Sequence, residues 1–261
     1  MVSKHKAQVM PVLVWVITII MFSLTVSLQA EDVQVSSASV KPATTTYVLN
    51  YTDHYDNRLN MFIKENVQIQ KKLTEGDTVW AEQVVLLGDS ITEGFNVSLY
   101  FPGQTFVNRG IAGDRSGMVD GRGLMNRLTT IALAPNPSHF FVMIGVNDLG
   151  SSVDSEKIIS NYQEIVNTLQ ALYPKTIIVV ESLLPCRGRY AKLNQKIVDT
   201  NSKLRVFAKE MELEYIDLYS LYKDDNGELK EEVTRDGIHL KKEFYTPWVE
   251  EINKRLGVNP K

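Results

Sequence analysis

The chain has 261 residues, with 28 Lys plus Arg against 31 Asp plus Glu, a formal charge of −3. Hydrophobic residues make up 44% and charged residues 23%, a globular balance that excludes a disordered tail, a collagen-like fibre and a multi-span membrane protein. The slightly acidic charge argues against nucleic acid as a partner, and a single cysteine excludes a disulfide framework or a cysteine-built zinc site.

Lys4, His5 and Lys6 precede a charge-free stretch over residues 9–28, almost wholly apolar at 12–22 (VLVWVITIIMF), and Ala30 then meets Glu31 and Asp32. Residues 1–30 therefore read as a secretory signal peptide cleaved after Ala30. The alternative is an uncleaved anchor, since about 20 apolar residues span a bilayer. The charge asymmetry puts the rest of the chain outside the cytoplasm in both cases. The expected location is secreted, periplasmic or cell-surface, with membrane contact only through this segment. Residues 31–78 read as a linker and N-terminal helical arm. The part over 31–50 is rich in Ser, Thr, Ala and Val, and the part over 51–78 carries Leu59, Phe62, Ile63 and Val67 at helical spacing.

From 79 to 261, apolar runs alternate with amphipathic stretches. Strands are expected at 84–87 (VVLL), 105–107, 140–144 (FFVMI), 177–180 (IIVV) and 215–218. Helices are expected near 117–133, 155–172, 190–212 and 243–256, and Pro135 and Pro137 punctuate the loop before the third strand. Continuous apolar strands separated by helices imply a parallel sheet covered on both faces, an α/β three-layer sandwich. Ser90, Gly110 and Asn147 each follow the carboxyl end of an expected strand, the edge where open α/β sheets bind ligands.

Ser90 lies in LLGDSITEG, a strand-to-helix turn where following backbone N–H groups can face an anion. A hydroxyl needs a base to become a nucleophile. Asp236-Gly237-Ile238-His239 supplies an imidazole to take and return the proton, and a carboxylate to orient it. Each motif alone also fits a bland role, a helix cap for Asp89 or Ser90 and a loop histidine for His239. Together, on successive strand ends, they are far more specific.

At these residues the chain resembles the SGNH hydrolase superfamily, also called the GDSL esterase/lipase family, with a look closest to its secreted acetyl-esterase-like and platelet-activating-factor acetylhydrolase-like members. Gly88-Asp89-Ser90-Ile91 resembles its first block, with Ile for the usual Leu, and Asn108-Arg109-Gly110-Ile111-Ala112-Gly113-Asp114 the second. Gly145-Val146-Asn147-Asp148 resembles the third and Asp236-Gly237-Ile238-His239 the last. The resemblance spans about residues 84–256 and implies a flavodoxin-like five-stranded sheet of order 2-1-3-4-5. It implies Ser90 as nucleophile, His239 as base, Asp236 as its orienting carboxylate, and an oxyanion hole from the Ser90 and Gly110 N–H groups and the Asn147 amide. Such donors stabilise the charge that develops when an ester carbonyl is attacked. Asp89, Arg109, Asp114 and Arg115 are further candidates for substrate contact, though Asp114 and Arg115 would equally pair with each other.

Other residues read as structural. Ser116 is expected to cap a helix beginning near 117, His139 to sit at the opposite sheet edge, His54 at the surface, and Cys186 to be a packed thiol. Arg187, Arg189 and Tyr190 are loop residues that substrate could reach, while Tyr100, Phe101 and Phe106 read as packing, with a pocket wall as the alternative. Asn50-Tyr51-Thr52 and Asn96-Val97-Ser98 are sequons for N-glycosylation. Dispersed histidines without H-E-x-x-H make a catalytic metal unexpected, no cofactor is expected, and there is no G-x-S-x-G elbow or complete dinucleotide-binding glycine pattern. The expected function is a serine esterase that hydrolyses short acyl esters, O-acetyl groups on carbohydrate foremost, through an acyl-enzyme. One alternative is a lysophospholipase or platelet-activating-factor acetylhydrolase-like lipid esterase, which a contiguous apolar channel beside Ser90 would favour. The other is a non-catalytic surface carbohydrate-binding protein of the same fold.

Overall fold

The computed structural model describes residues 51–130 and 137–258. The expected signal segment or anchor over 1–30, the linker over 31–50, the sequon asparagine Asn50, and Pro135 lie outside the described residues. The apolar runs form five strands: β1 (Gln83–Gly88), β2 (Phe106–Gly110), β3 (Pro137–Met143), β4 (Ile177–Glu181) and β5 (Glu214–Ile216). All neighbours are parallel and the order is β2-β1-β3-β4-β5, as the resemblance implies. Every residue of β1 is buried, because helices pack around the sheet and leave no solvated face for alternation to mark. Pro137 opens β3 rather than lying in a loop, a position where its missing N–H costs no ladder bond. The fifth strand stops at Ile216, since Asp217 accepts the Ser220 N–H and starts a short helix there.

Helix α1 (Tyr51–Thr74) opens the described chain, followed by α2 (Ser90–Glu93), α3 (Val97–Tyr100), α4 (Leu124–Thr130), α5 (Val146–Gly150), α6 (Ser155–Leu172), α7 (Asn194–Glu210), α8 (Leu218–Tyr222) and α9 (Thr246–Arg255). The buried face of α1 is Tyr55, Phe62, Asn66 and Ile69, a 3.6-residue stripe. Ile63 and Val67 lie off that stripe and are 46% and 64% exposed, contrary to the sequence expectation. The long helices α6 and α7 fall where expected. Asp154 caps α6 by accepting the Lys157 N–H at 2.7 Å.

Of the helix expected near 117–133, the described residues are helical only over Leu124–Thr130, and 131–133 lie outside the described residues. Residues 119–122 instead form a tight hairpin, with Val119 and Arg122 exchanging both backbone hydrogen bonds. Asp120 and Gly121 at its tip have φ of 49° and 73°, the left-handed pair that an Asp-Gly turn adopts. The hairpin meets α1 where Arg122 lies over the Tyr55 ring, and Arg58 of α1 donates to the Gly110 carbonyl at the end of β2.

Candidate active site

Gly88 ends β1 and the chain turns directly into α2. Asp89 caps that turn by accepting the Ile91 N–H at 3.0 Å, and Ser90 is the first helical residue, partly exposed at the carboxyl edge of the sheet. The loop carrying His239 arrives from the other side. Its Gly237 carbonyl accepts the N–H of Arg187, just past β4, at 2.8 Å. Within the loop, Asp236 Oδ1 accepts the N–H groups of Ile238 and His239 at 3.1 and 2.9 Å, and the Thr234 hydroxyl donates to the His239 carbonyl at 2.8 Å. These contacts leave Asp236 Oδ2 2.6 Å from His239 Nδ1, and His239 Nε2 2.8 Å from Ser90 Oγ. With the proton on Nδ1 donated to Asp236, Nε2 is free to accept from Ser90. Partial burial of Asp236 works to raise its pKa, but the hydrogen bonds from His239 and Ile238 outweigh it and hold the carboxyl down at about 2. An anion therefore faces the imidazole across the working pH range.

Asn147 is in the first turn of α5. It follows Gly145, and its Nδ2 donates to the Asp114 carbonyl at 2.9 Å. That bond joins the loop after β2 to the end of β3, directly beside Ser90 at the end of β1.

A GDSL-like lipase/acylhydrolase family model matches residues 86–246, a span that includes Ser90, Asn147, Asp236 and His239. The chain belongs to the GDSL-like lipase/acylhydrolase family. It is accordingly a carboxylic ester hydrolase. A solved Streptococcus pneumonia structure, described provisionally as a platelet activating factor, is 27% identical over 79% of this chain and 97% of its own, with a TM-score of 0.58. A GDSL-like lipase from Bacteroides thetaiotaomicron is 21% identical over 72% of this chain and 97% of its own, with a TM-score of 0.60. A carbohydrate acetylesterase from Sinorhizobium meliloti is 16% identical over 67% of this chain and 98% of its own, with a TM-score of 0.57. At these last two identities the likeness is one of fold. No curated protein matches the chain.

Within this GDSL-family site, several sequence candidates have other work. The Gly110 N–H donates to Asn108 Oδ1 at 2.8 Å and its carbonyl accepts from Arg58 at 2.8 Å. A Cβ at 110 would sit 2.2 Å from the Glu93 nitrogen. Gly110 is thus a glycine because α2 packs against it, and its N–H is not available to an oxyanion. Three residues on, Gly113 is exposed with φ of 78°, and its N–H makes no hydrogen bond among the described residues. Asp89 is 1% exposed and cannot reach substrate; burial pushes its carboxyl up to about 7, against the pull of the Ile91 N–H. Arg109 is fully buried away from the site, donating to Glu65 and Asn66 of α1 and lying over the Phe62 ring. The Asp114 carboxylate pairs with Arg127 at 2.8 Å rather than with Arg115.

Arg127, which the sequence did not single out, is the clamp of this edge. Its guanidinium also donates to the carbonyls of Arg109 at 2.6 Å and Gly88 at 2.9 Å, joining the ends of β1 and β2. Ser116 caps no helix. Its hydroxyl and N–H donate to the two oxygens of Asp148 at 2.7 and 2.9 Å, and the hydroxyl accepts from Asn161, so this serine is buried and engaged. His139 sits at the amino end of β3, on the far edge. His54 is half-exposed, 3.1 Å from Glu93. Arg187 pairs with Asp224 and Glu228; Arg189 lies over its neighbour Tyr190. Phe101 and Phe106 stack in the core, and Tyr100 packs edge-on against Phe95. Cys186 is buried as expected, and burial pushes its thiol up to about 12. Among the described residues no cluster of His, Cys, Asp and Glu suits a metal ion.

Proposed function

We propose that the protein is an exported serine esterase acting on short acyl esters, O-acetyl groups on carbohydrate foremost, through an acyl-enzyme. The observation that carries this reading is the chain Ser90 Oγ to His239 Nε2 at 2.8 Å and His239 Nδ1 to Asp236 at 2.6 Å. His239 takes the hydroxyl proton as Ser90 attacks the ester carbonyl, and Asp236 stabilises the imidazolium. The oxygen that becomes negative is held by the Asn147 amide, the Ser90 N–H and the Gly113 N–H, the last replacing Gly110. Collapse of the tetrahedral intermediate passes the proton to the departing alcohol. Water then enters, loses its proton to His239, attacks the acyl-Ser90 carbonyl and releases the acid with Ser90 restored.

The cavities beside the triad favour a short polar ester. On the His239 side the walls are Arg235, Asp236, His239, Leu240, Lys241, Lys242 and Glu243, one aliphatic side chain among charged ones rather than the apolar run that a long acyl chain needs. Export rests on the basic start and apolar run of residues 1–30.

The test is turnover of p-nitrophenyl acetate and p-nitrophenyl octanoate by the protein and its Ser90→Ala variant, with acetate release from acetylated xylan as the third substrate. Acetyl turnover that exceeds octanoyl turnover and vanishes in Ser90→Ala is expected. Equal rates for wild type and Ser90→Ala would remove the triad assignment, and faster octanoyl turnover would replace the carbohydrate reading with the lipid one.

A further inference from the structure

On the opposite side of Ser90 from His239, between α1 and the Asp120-Gly121 hairpin, is a cavity of about 540 Å³ whose arginines take no part in the proposed reaction. Strand order fixes the sides. Ser90 follows β1, the cavity wall from Ala112 to Arg115 follows β2 at one edge, and the His239 loop is tied to the end of β4 beyond β3. Gly113 lines this cavity and is also one of the donors proposed for the reacting carbonyl.

Two guanidinium groups line the cavity, from Arg115 and Arg122. Neither has a carboxylate within ion-pair distance among the described residues. Arg122 lies over the Tyr55 ring, 5.3 Å from its centroid, which fixes the plane of the guanidinium and leaves its edge N–H groups free to donate. The Tyr55 hydroxyl accepts the Gly123 N–H at 3.3 Å, so its own proton also remains to be donated. Two acids share the lining. Asp114 is 1% exposed at its side chain and held by Arg127, and Asp120 is carried at the exposed hairpin tip. Among the described residues the Arg115 and Arg122 guanidinium groups donate no side-chain hydrogen bond, in a chain whose overall charge is negative. An arginine fork in a half-closed cavity matches a carboxylate or phosphate.

We infer that this cavity is an anion subsite of the esterase, in which Arg115 and Arg122 hold a carboxylate or phosphate carried by the ester substrate. The inference rests on Ser90 being the nucleophile. The substrate class narrows to acidic esters, and the helical arm, through Tyr55, becomes part of the substrate site.

The experiment uses the full-length protein and two matched pairs, with acetate release as the readout. Acetylated glucuronic acid is compared with acetylated glucose, and acetylglycerol 3-phosphate with monoacetylglycerol. The expected result is kcat/KM about tenfold or more higher for the charged member of at least one pair, in line with one charge-assisted hydrogen-bonded pair. The preference falls in Arg115→Gln/Arg122→Gln, is partly kept in Arg115→Lys/Arg122→Lys, and shrinks with added salt. The pair that responds tells carboxylate from phosphate. Ratios near one in both pairs, or a preference unchanged in the Gln variant, overturn the subsite. Calorimetric titration of Ser90→Ala with inorganic phosphate and with glucuronate reads the subsite without catalysis. Binding that disappears with the two Gln substitutions supports it even if ester turnover fails, and absence of binding to either anion overturns it.

Discussion

Asn147 and Gly113 show how one residue's contacts decide another's chemistry. The Asn147 amide has two protons, one of which goes to the Asp114 carbonyl, so the second is aimed by a rigid partner rather than by a free rotor. In the proposed mechanism, replacing it leaves the nucleophile and base in place and removes one donor to the developing oxyanion. Asn147→Ala is expected to lower kcat by about 10²–10³ with a smaller change in KM; steady-state kinetics on p-nitrophenyl acetate check this, and an equal rise in KM with kcat intact would mean that Asn147 only binds substrate. Ser90, His239 and Asp236 could be picked out of the sequence as a set because the contacts that join them are made by side chains. Gly110 was misread for the opposite reason. Its role depends on a backbone N–H, and whether that N–H is free is decided by where the Asn108 side chain points. Arg109 and Asp89 were misread similarly, since a charged letter in a motif does not reveal that the group is buried.

At the scale of elements, the N-terminal helix is the part that composition alone undervalued. Helix α1 is bound to the active-site side of the sheet by polar anchors: Arg58 on the Gly110 carbonyl, Glu65 and Asn66 on buried Arg109, and His54 near Glu93. Glu93 in turn accepts the Ala112 N–H at 2.6 Å, so the loop bearing Gly113 is braced by the same contacts. Glu65→Ala leaves buried Arg109 without its carboxylate, and a loss of about 1–3 kcal/mol in unfolding free energy is expected, measured by urea denaturation. A change within about 0.5 kcal/mol would mean that α1 is only loosely attached. The five strands and long helices were legible because β1, β3 and β4 are continuous apolar runs and α6 and α7 are long. The shortened fourth helix was not, although Asp120-Gly121 is a hairpin signal; the apolar residues around it also fit helical spacing, and the turn took precedence.

At the scale of the molecule, Glu181 and Asp89 are, with Asp148, buried carboxyls that make no ion pair among the described residues. Glu181 is 1% exposed, at the end of β4, and pushed up to about 8 by burial, against the pull of its hydrogen bond from Trp248. Asp89 is pushed up to about 7. Each keeps its proton in the fold at a pH where the unfolded chain has lost it. Stability therefore falls as pH rises from about 4 towards 8, by up to about 1.4 kcal/mol per pH unit for each fully shifted group. Asp236 acts in the other direction, losing its contribution only as pH falls towards 2. Glu181→Gln keeps an acceptor for the Trp248 indole and removes the titration, so its melting temperature is expected to fall less than wild type between pH 5 and pH 8.5; parallel curves would refute this. The central claim is that Ser90 is the nucleophile. It is tested most directly by intact and peptide mass spectrometry after exposure to a fluorophosphonate. One adduct on Ser90, absent in Ser90→Ala and strongly slowed in His239→Ala, is the predicted result. Retained ester turnover with an adduct at another residue, or with none, would contradict it.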